Sequence, residues 1–148
     1  MDWTALKTRI VNATRKAVSD LRLAHGTDTV YAYALYTDSG AMTVVLSANS
    51  VQGFDAAVSS QGDRSPATLA YYKWATAEWA YEGWGGPEFK DICTDLRTSP
   101  DRRDFSKFKA ALLDTMTGAL KGNSEAIIDA GGLSPSRYNV TPLTFGGQ

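Results

Sequence analysis

The sequence predicts an α+β fold: an antiparallel sheet of three to five strands with helices packed on one face. Three observations carry the prediction. Apolar residues recur at helical spacing from Trp3 to Leu21 and again from Phe105 to Leu120. Between these stretches, two runs of strand formers flank a turn at Thr37-Asp38-Ser39-Gly40. Strands and helices do not alternate regularly, so a doubly wound parallel sheet is not expected.

Asp2 can cap the first helix, and Trp3, Leu6, Ile10, Ala13, Ala17 and Leu21 mark its apolar face. It should end near His25-Gly26, where glycine accepts the left-handed cap conformation. The hairpin follows, with Val30–Tyr36 as outgoing strand and Ala41–Leu46 as return. Simple alternation puts Tyr31 and Tyr33 on one face and Ala32 and Ala34 on the other. The small face has room for a packed helix, and the first one is expected there. A short helix is expected around Phe54–Val58, and Gln61–Pro66 reads as a loop.

Tyr71–Trp84 concentrates Tyr71, Tyr72, Trp74, Trp79, Tyr81 and Trp84. It reads as a strand over residues 68–74, then an irregular or short helical piece, then a turn at Gly83–Gly86. Pro87 suits the first position of a helix that places Phe89, Ile92, Cys93 and Leu96 on one side. Ser99-Pro100-Asp101 opens a longer helix, buried through Phe105, Phe108, Leu112, Met116 and Leu120 and stopped at Lys121-Gly122-Asn123. The remainder, rich in Gly and Pro, reads as a less regular tail with at most one short strand. The 148 residues are thus expected to form one domain with that tail from about residue 122.

Composition excludes several function classes. The chain is 43% hydrophobic, which supports a real core and argues against disorder. Its net charge of -1 disfavours a generally basic nucleic-acid binder. One cysteine, Cys93, forbids an internal disulfide framework, and one histidine, His25, forbids any site needing two imidazoles. The N-terminus lacks the apolar core of a secretory signal, and no run reaches the roughly 20 apolar residues of a membrane span. A cytoplasmic location is expected. Gly83-Trp84-Gly85-Gly86 lacks the Lys-Ser/Thr ending of a phosphate-cradling loop.

Charge has an order that the net value hides. Residues 1–27 carry five basic and two acidic groups, residues 28–95 three basic and nine acidic, and residues 96–110 five basic and two acidic. Each helix could simply solvate its outer face, or the central segment could form an acidic surface for a basic partner. Glu78 and Glu82 would lie at i and i+4 if helical, a pair able to bind a hard metal or divide acid and base roles. The tryptophans and tyrosines around them suit a core, a protein interface or a stacking platform. Cys93 on an apolar helix face reads as a buried inert thiol, and His25 as a helix-end residue.

Met1–Arg22 and the segment Tyr71-Tyr72-Lys73-Trp74-Ala75-Thr76-Ala77-Glu78-Trp79-Ala80-Tyr81-Glu82 together resemble a bacterial family known as domain of unknown function 4303. The hairpin from Tyr31 to Val45 fits the resemblance, which covers most of residues 1–120. After Gly122 the chain departs from it: a strand region ending near Asn-Pro is expected, and Asn139-Val140 stands here. The resemblance supplies no activity and no catalytic residues. Small bacterial α+β domains of this type often sit beside toxin genes as immunity proteins, so it implies that class by association.

The leading expectation is therefore a cytoplasmic protein-binding domain, an immunity protein that occludes a toxin such as a basic nuclease-like domain. Its contacts are expected from Glu78, Glu82, Glu88 and Asp91 as charges and Trp79, Tyr81 and Trp84 as anchors. This requires the acidic groups to cluster and the aromatics to remain accessible. No catalytic residue, metal, cofactor, membrane contact or direct nucleic-acid contact is expected. The runner-up is a small enzyme or ligand-binding domain with an aromatic pocket around Trp79 and Glu78. A third reading is a structural subunit that self-associates through a sheet edge.

Overall fold

The structure, a computed structural model, describes residues 1–131 and 143–144, with side chains described through residue 121. Among them the fold is α+β. Helix α1 spans Trp3–Ala24, strand β1 Val30–Thr37, strand β2 Val45–Ser50, helix α2 Val51–Ser59 and helix α3 Pro66–Trp74. A 3-10 turn at Thr76–Glu78 leads to strand β3, Tyr81–Trp84. Helix α4 covers Gly86–Thr98, a second 3-10 turn Pro100–Arg103, helix α5 Phe105–Gly131 and strand β4 Leu143–Thr144. The sheet order is β3-β2-β1-β4, antiparallel through β3, β2 and β1, with β4 joining β1 in parallel.

One sheet face carries the main core. Tyr33 and Leu35 of β1, Leu46 and Ala48 of β2, and Tyr81 of β3 meet the apolar stripes of α1, α4 and α5. The stripes are those legible in the sequence: Leu6, Ile10, Ala17 and Leu21 on α1, Phe89, Ile92 and Leu96 on α4, Phe108, Leu112 and Met116 on α5. As a rough guide, burying each such Leu, Ile or Phe contributes about 1.5–3 kcal/mol. Phe105 departs from the expected stripe. It is exposed at the first turn of α5, where Arg102 lies over its ring.

A β-bulge corrects the expected alternation in β1. The register shifts between Val30 and Ala32, and the extra residue puts Tyr31 with Ala32 and Ala34, away from Tyr33. The alanine face seats Trp79 on the sheet side opposite the main core, and α1 packs on the Tyr33 face instead.

The return strand starts later than expected because Asp38 gathers residues 40–43 into a loop. Its carboxylate accepts from the amides of Gly40, Met42 and Thr43 and from the Thr43 hydroxyl. Ala41 sits there at φ 51, and Arg102 secures it by donating to the carbonyls of Gly40, Ala41 and Leu96. Residues 68–74 are helical, contrary to the expected strand. Ser65 caps α3 by accepting from Thr68 N, and Pro66 supplies a fixed φ in the first turn. The strand propensity of Tyr and Trp is contextual, and this start signal outweighs it. Gly83 and Trp84 belong to β3 and Gly86 opens α4, so the turn expected there is confined to Gly85. The stop expected at Lys121–Asn123 is passed by α5, which includes Ala126–Ile128. The departure noted at Asn139-Val140 lies outside the described residues.

Charge order becomes intramolecular pairing. Arg9 of α1 meets Asp95 of α4 at 2.6 Å, and Lys16 lies 2.6 Å from Asp20 and 4.0 Å from Glu88. The basic first helix thus faces acidic positions of the fourth. Cys93 is buried, as expected: Val44 N–H donates to its sulfur at 3.4 Å, and the thiol faces the Val44 carbonyl at 3.5 Å.

Gly85, just before α4, lies directly against Ala17 of α1. Its φ is +75, and a Cβ there would lie 2.5 Å from Ala17 Cβ. Gly85→Ala should lower unfolding stability by about 1–3 kcal/mol, whereas Gly62→Ala, in open space, should stay within about 0.5 kcal/mol; denaturant unfolding of the two variants checks this. For Asp38, burial pushes the carboxyl up, but the bonds from Thr43, Met42 and Gly40 outweigh it and hold it below its ordinary value. A depressed carboxyl stabilises the fold above the unfolded-state pKa, near 4, and this is lost as pH falls through the folded value. The stability gap between wild type and Asp38→Asn should therefore close on acidification below about pH 4. Unfolding curves at stepped pH would show a constant gap if the loop does not depend on the charge.

Candidate functional site

The sheet face opposite the main core is organised by a buried amide. Asn49 on β2, 1% exposed, donates its side-chain N–H to the Tyr31 hydroxyl at 2.8 Å. Its oxygen accepts from Ala80 N at 3.1 Å. The Tyr31 hydroxyl donates onward to the Lys73 carbonyl at 2.9 Å, and the Trp79 indole donates to the same carbonyl at 3.1 Å. Burial pushes the Tyr31 phenol up, partly offset by the Asn49 donor. Gly53 permits the approach: a Cβ there would lie 2.7 Å from both Ala80 Cβ and Asn49 Oδ1.

This network clamps the C-terminal end of α3. The other end is clamped by Asp63, which accepts from Ser65 N, the Ser65 hydroxyl and the Thr68 hydroxyl at 2.6–3.0 Å. Those hydrogen bonds, Thr68's first, lower the Asp63 carboxyl pKa. A nine-residue helix is marginal by itself in water. Here polar clamps at both ends hold it, and none of its residues is buried. Tyr71 is 54% exposed and Trp74 47%, and Val51 of α2, which shares a cleft with Trp74, is 43% exposed.

Between α2, α3 and the start of β1 lies a cleft of about 720 Å³. Tyr31, Phe54 and Trp74 line it with Val51, Leu69, Thr29, Asp55 and Lys73. Tyr31 stands 6.4 Å from Phe54 and 6.3 Å from Trp74, centroid to centroid, nearly perpendicular to both. The Lys73 ammonium sits 5.1 Å from the Trp74 ring centroid. Clefts of this size, mostly apolar with a few polar groups, suit a ligand or an anchoring side chain.

The structure does not gather the seven residues singled out in the sequence at one site, although Tyr81 and Trp84 meet ring to ring at 5.8 Å. Glu78 lies on the turn after α3 and accepts from the Tyr71 hydroxyl at 3.2 Å. Glu82 is on edge strand β3 and accepts from the Tyr36 hydroxyl. They never share a helix, so the expected i, i+4 pair does not form. Glu88 and Asp91 sit on α4, which packs on the main-core face, with Glu88 near Lys16. Trp79 and Tyr81 are buried, and Trp84 is half-buried with its indole donating to the Ala17 carbonyl at 3.0 Å. The expected anchors are therefore part of the packing, because each indole or phenol finds a fixed acceptor inside the fold. The expected pocket around Trp79 and Glu78 moves to Tyr31, Phe54 and Trp74, since Trp79 lies behind Tyr31. Phe54, Trp74 and Val51 were missed as site residues. The Ser65-Pro66 helix start before an aromatic run was the signal that could have found Trp74.

His25 caps α1 and packs its ring against Tyr81 at 4.7 Å and Trp84 at 5.5 Å. The Tyr81 hydroxyl donates to Asp28, which also accepts from Ser50. Burial, then Asp28, pushes the Tyr81 phenol up to about 12.

Among the described residues no helix is long and apolar enough to cross a membrane. In comparison with known proteins, a family model described as Domain of unknown function (DUF4303) matches residues 10–126. The match takes in the hairpin, the aromatic segment and most of the helices, and leaves out the first nine residues that also shaped the resemblance. No curated protein matches, and no solved structure matches.

Asn49→Ala should cost about 1–3 kcal/mol, because Tyr31 and Ala80 lose their partner. Trp74→Ala should cost less, since its ring is half in solvent. Paired denaturant unfolding checks the order; a larger loss for Trp74 would make that ring a core residue.

Proposed function

We propose that this chain, which belongs to the family Domain of unknown function (DUF4303), is a protein-binding domain that meets its partner through α3 and the neighbouring cleft. One observation carries the reading. Helix α3 is composed largely of apolar and aromatic residues, and none is buried. Contiguous exposed aromatics held on a rigid support mark interaction surfaces, and Trp and Tyr are favoured as binding anchors.

The finer reading is an immunity protein that acts in the cytoplasm by occluding a toxin. Residues 51–82, which contain the face, carry four acidic and two basic groups. A basic partner suits that balance, and nuclease-like domains carry positive grooves for phosphate. Occlusion is a binding act, so no residue of this chain is given a catalytic role. A ligand-binding domain is the second reading, favoured by the cleft at Tyr31, Phe54 and Trp74. It differs in predicting a small molecule that fills the cleft without a protein partner.

The test is calorimetric titration with the purified product of the adjacent gene in the native genome. Wild type should bind stoichiometrically, and Trp74→Ala should weaken binding by about thirtyfold or more. Tyr71→Ala should weaken it less. Asp91→Lys, on the far side of the sheet, should leave affinity nearly unchanged. Absence of binding by wild type, or indifference to Trp74, would overturn the reading.

A further inference from the structure

We infer that the cleft between α2 and α3 receives the guanidinium of an arginine side chain presented by the protein partner, an assignment that rests on the binding reading above. Three rings line the space. Tyr31 is fixed at its hydroxyl by Lys73 O and Asn49, and Phe54 and Trp74 stand at 84° and 82° to its plane. Aromatic rings expose negative π-faces, and several rings converging on one space form a cage suited to an organic cation. Asp55 also lines the cleft and adds a full negative charge.

The protein's own side chain illustrates the affinity. The Lys73 ammonium already lies over Trp74, 5.1 Å from the ring centroid, although the side chain is exposed. Guanidinium is planar and less strongly hydrated than ammonium, and it stacks better on an indole. An incoming arginine can therefore compete with Lys73 for the ring face and for the Asp55 carboxylate that lines the same cleft. Its carbon stem covers Val51 and Leu69, which leaves little apolar wall unmatched. Lys73 opposes this twice, as a competitor for the ring and as a like charge. Its structural role is carried by the backbone carbonyl, which a side-chain change leaves in place.

The probe is Nα-acetyl-arginine amide, titrated into the full chain while the Trp74 indole N–H is followed by NMR. The counter-probe is Nα-acetyl-citrulline amide, nearly the same shape without the charge. The arginine probe should shift the Trp74 signal and bind about tenfold more tightly than the citrulline probe. Asp55→Asn should weaken the arginine probe, and Lys73→Gln should tighten it, a gain that damage to the fold would not produce. Equal response to both probes, shifts confined to other sites, or indifference to Asp55→Asn would overturn the assignment. If the adjacent gene product still needs Trp74 while both probes respond equally, the cation assignment falls and the binding reading stands. If the gene product ignores Trp74, the binding reading falls.

Discussion

A single buried carboxamide on β2, Asn49, holds the polar side of this fold together. Leaving an amide unpaired in the interior costs several kcal/mol, on the order of 2–7 against an apolar reference. Here the donor side reaches Tyr31 and the acceptor side takes the Ala80 amide. Through Tyr31 the bond runs to the Lys73 carbonyl, and through that carbonyl to Trp79. The end of α3, the 3-10 turn and the entry to β3 are therefore positioned by one connected set of hydrogen bonds. The two faces of the sheet differ for this reason. Apolar packing on α1, α4 and α5 organises one, and a polar network with a few aromatic rings organises the other.

That contrast explains how an apolar helix stays exposed. Ordinary helices earn their order by burying a stripe, as α1 and α5 do. Helix α3 is ordered from its ends, by Asp63 and Ser65 at one and by its own Lys73 carbonyl at the other. Its aromatic side chains are thereby left outside the fold. The cleft beside it has a rigid floor because Tyr31 cannot rotate without breaking two hydrogen bonds. Preorganised apolar surface of this kind lowers the ordering cost of association.

Electrostatics separates into local pairs. The acidic centre of the sequence does not form one patch, because the sheet puts α4 on one side and the α3 region on the other. Acidic groups on α4 face basic groups on α1, and exposed pairs of this sort contribute little to stability. Glu78 and Glu82 each take a tyrosine hydroxyl. Under the proposed binding reading, the charge a partner would meet is the modest acidic balance around α2 and α3.

The sequence by itself determined the α+β class, the stripes of α1, α4 and most of α5, the hairpin and the buried state of Cys93. Each of these is written in local periodicity or in capping and turn residues, which act within a few positions along the chain. Helix α3 was misread because strand propensity in Tyr and Trp depends on whether a neighbouring strand is present, a fact outside the segment. Tyr31 was placed on the wrong face because a bulge is set by pairing across two strands. The aromatics chosen from the sequence were buried or half-buried, since Trp79 finds its acceptor six residues back at Lys73, and Tyr81 and Trp84 find theirs at Asp28 and Ala17, 53 and 67 positions away along the chain. Only the tertiary structure decided which aromatic residues face outward, because burial is a property of what packs above a residue and not of the residue itself.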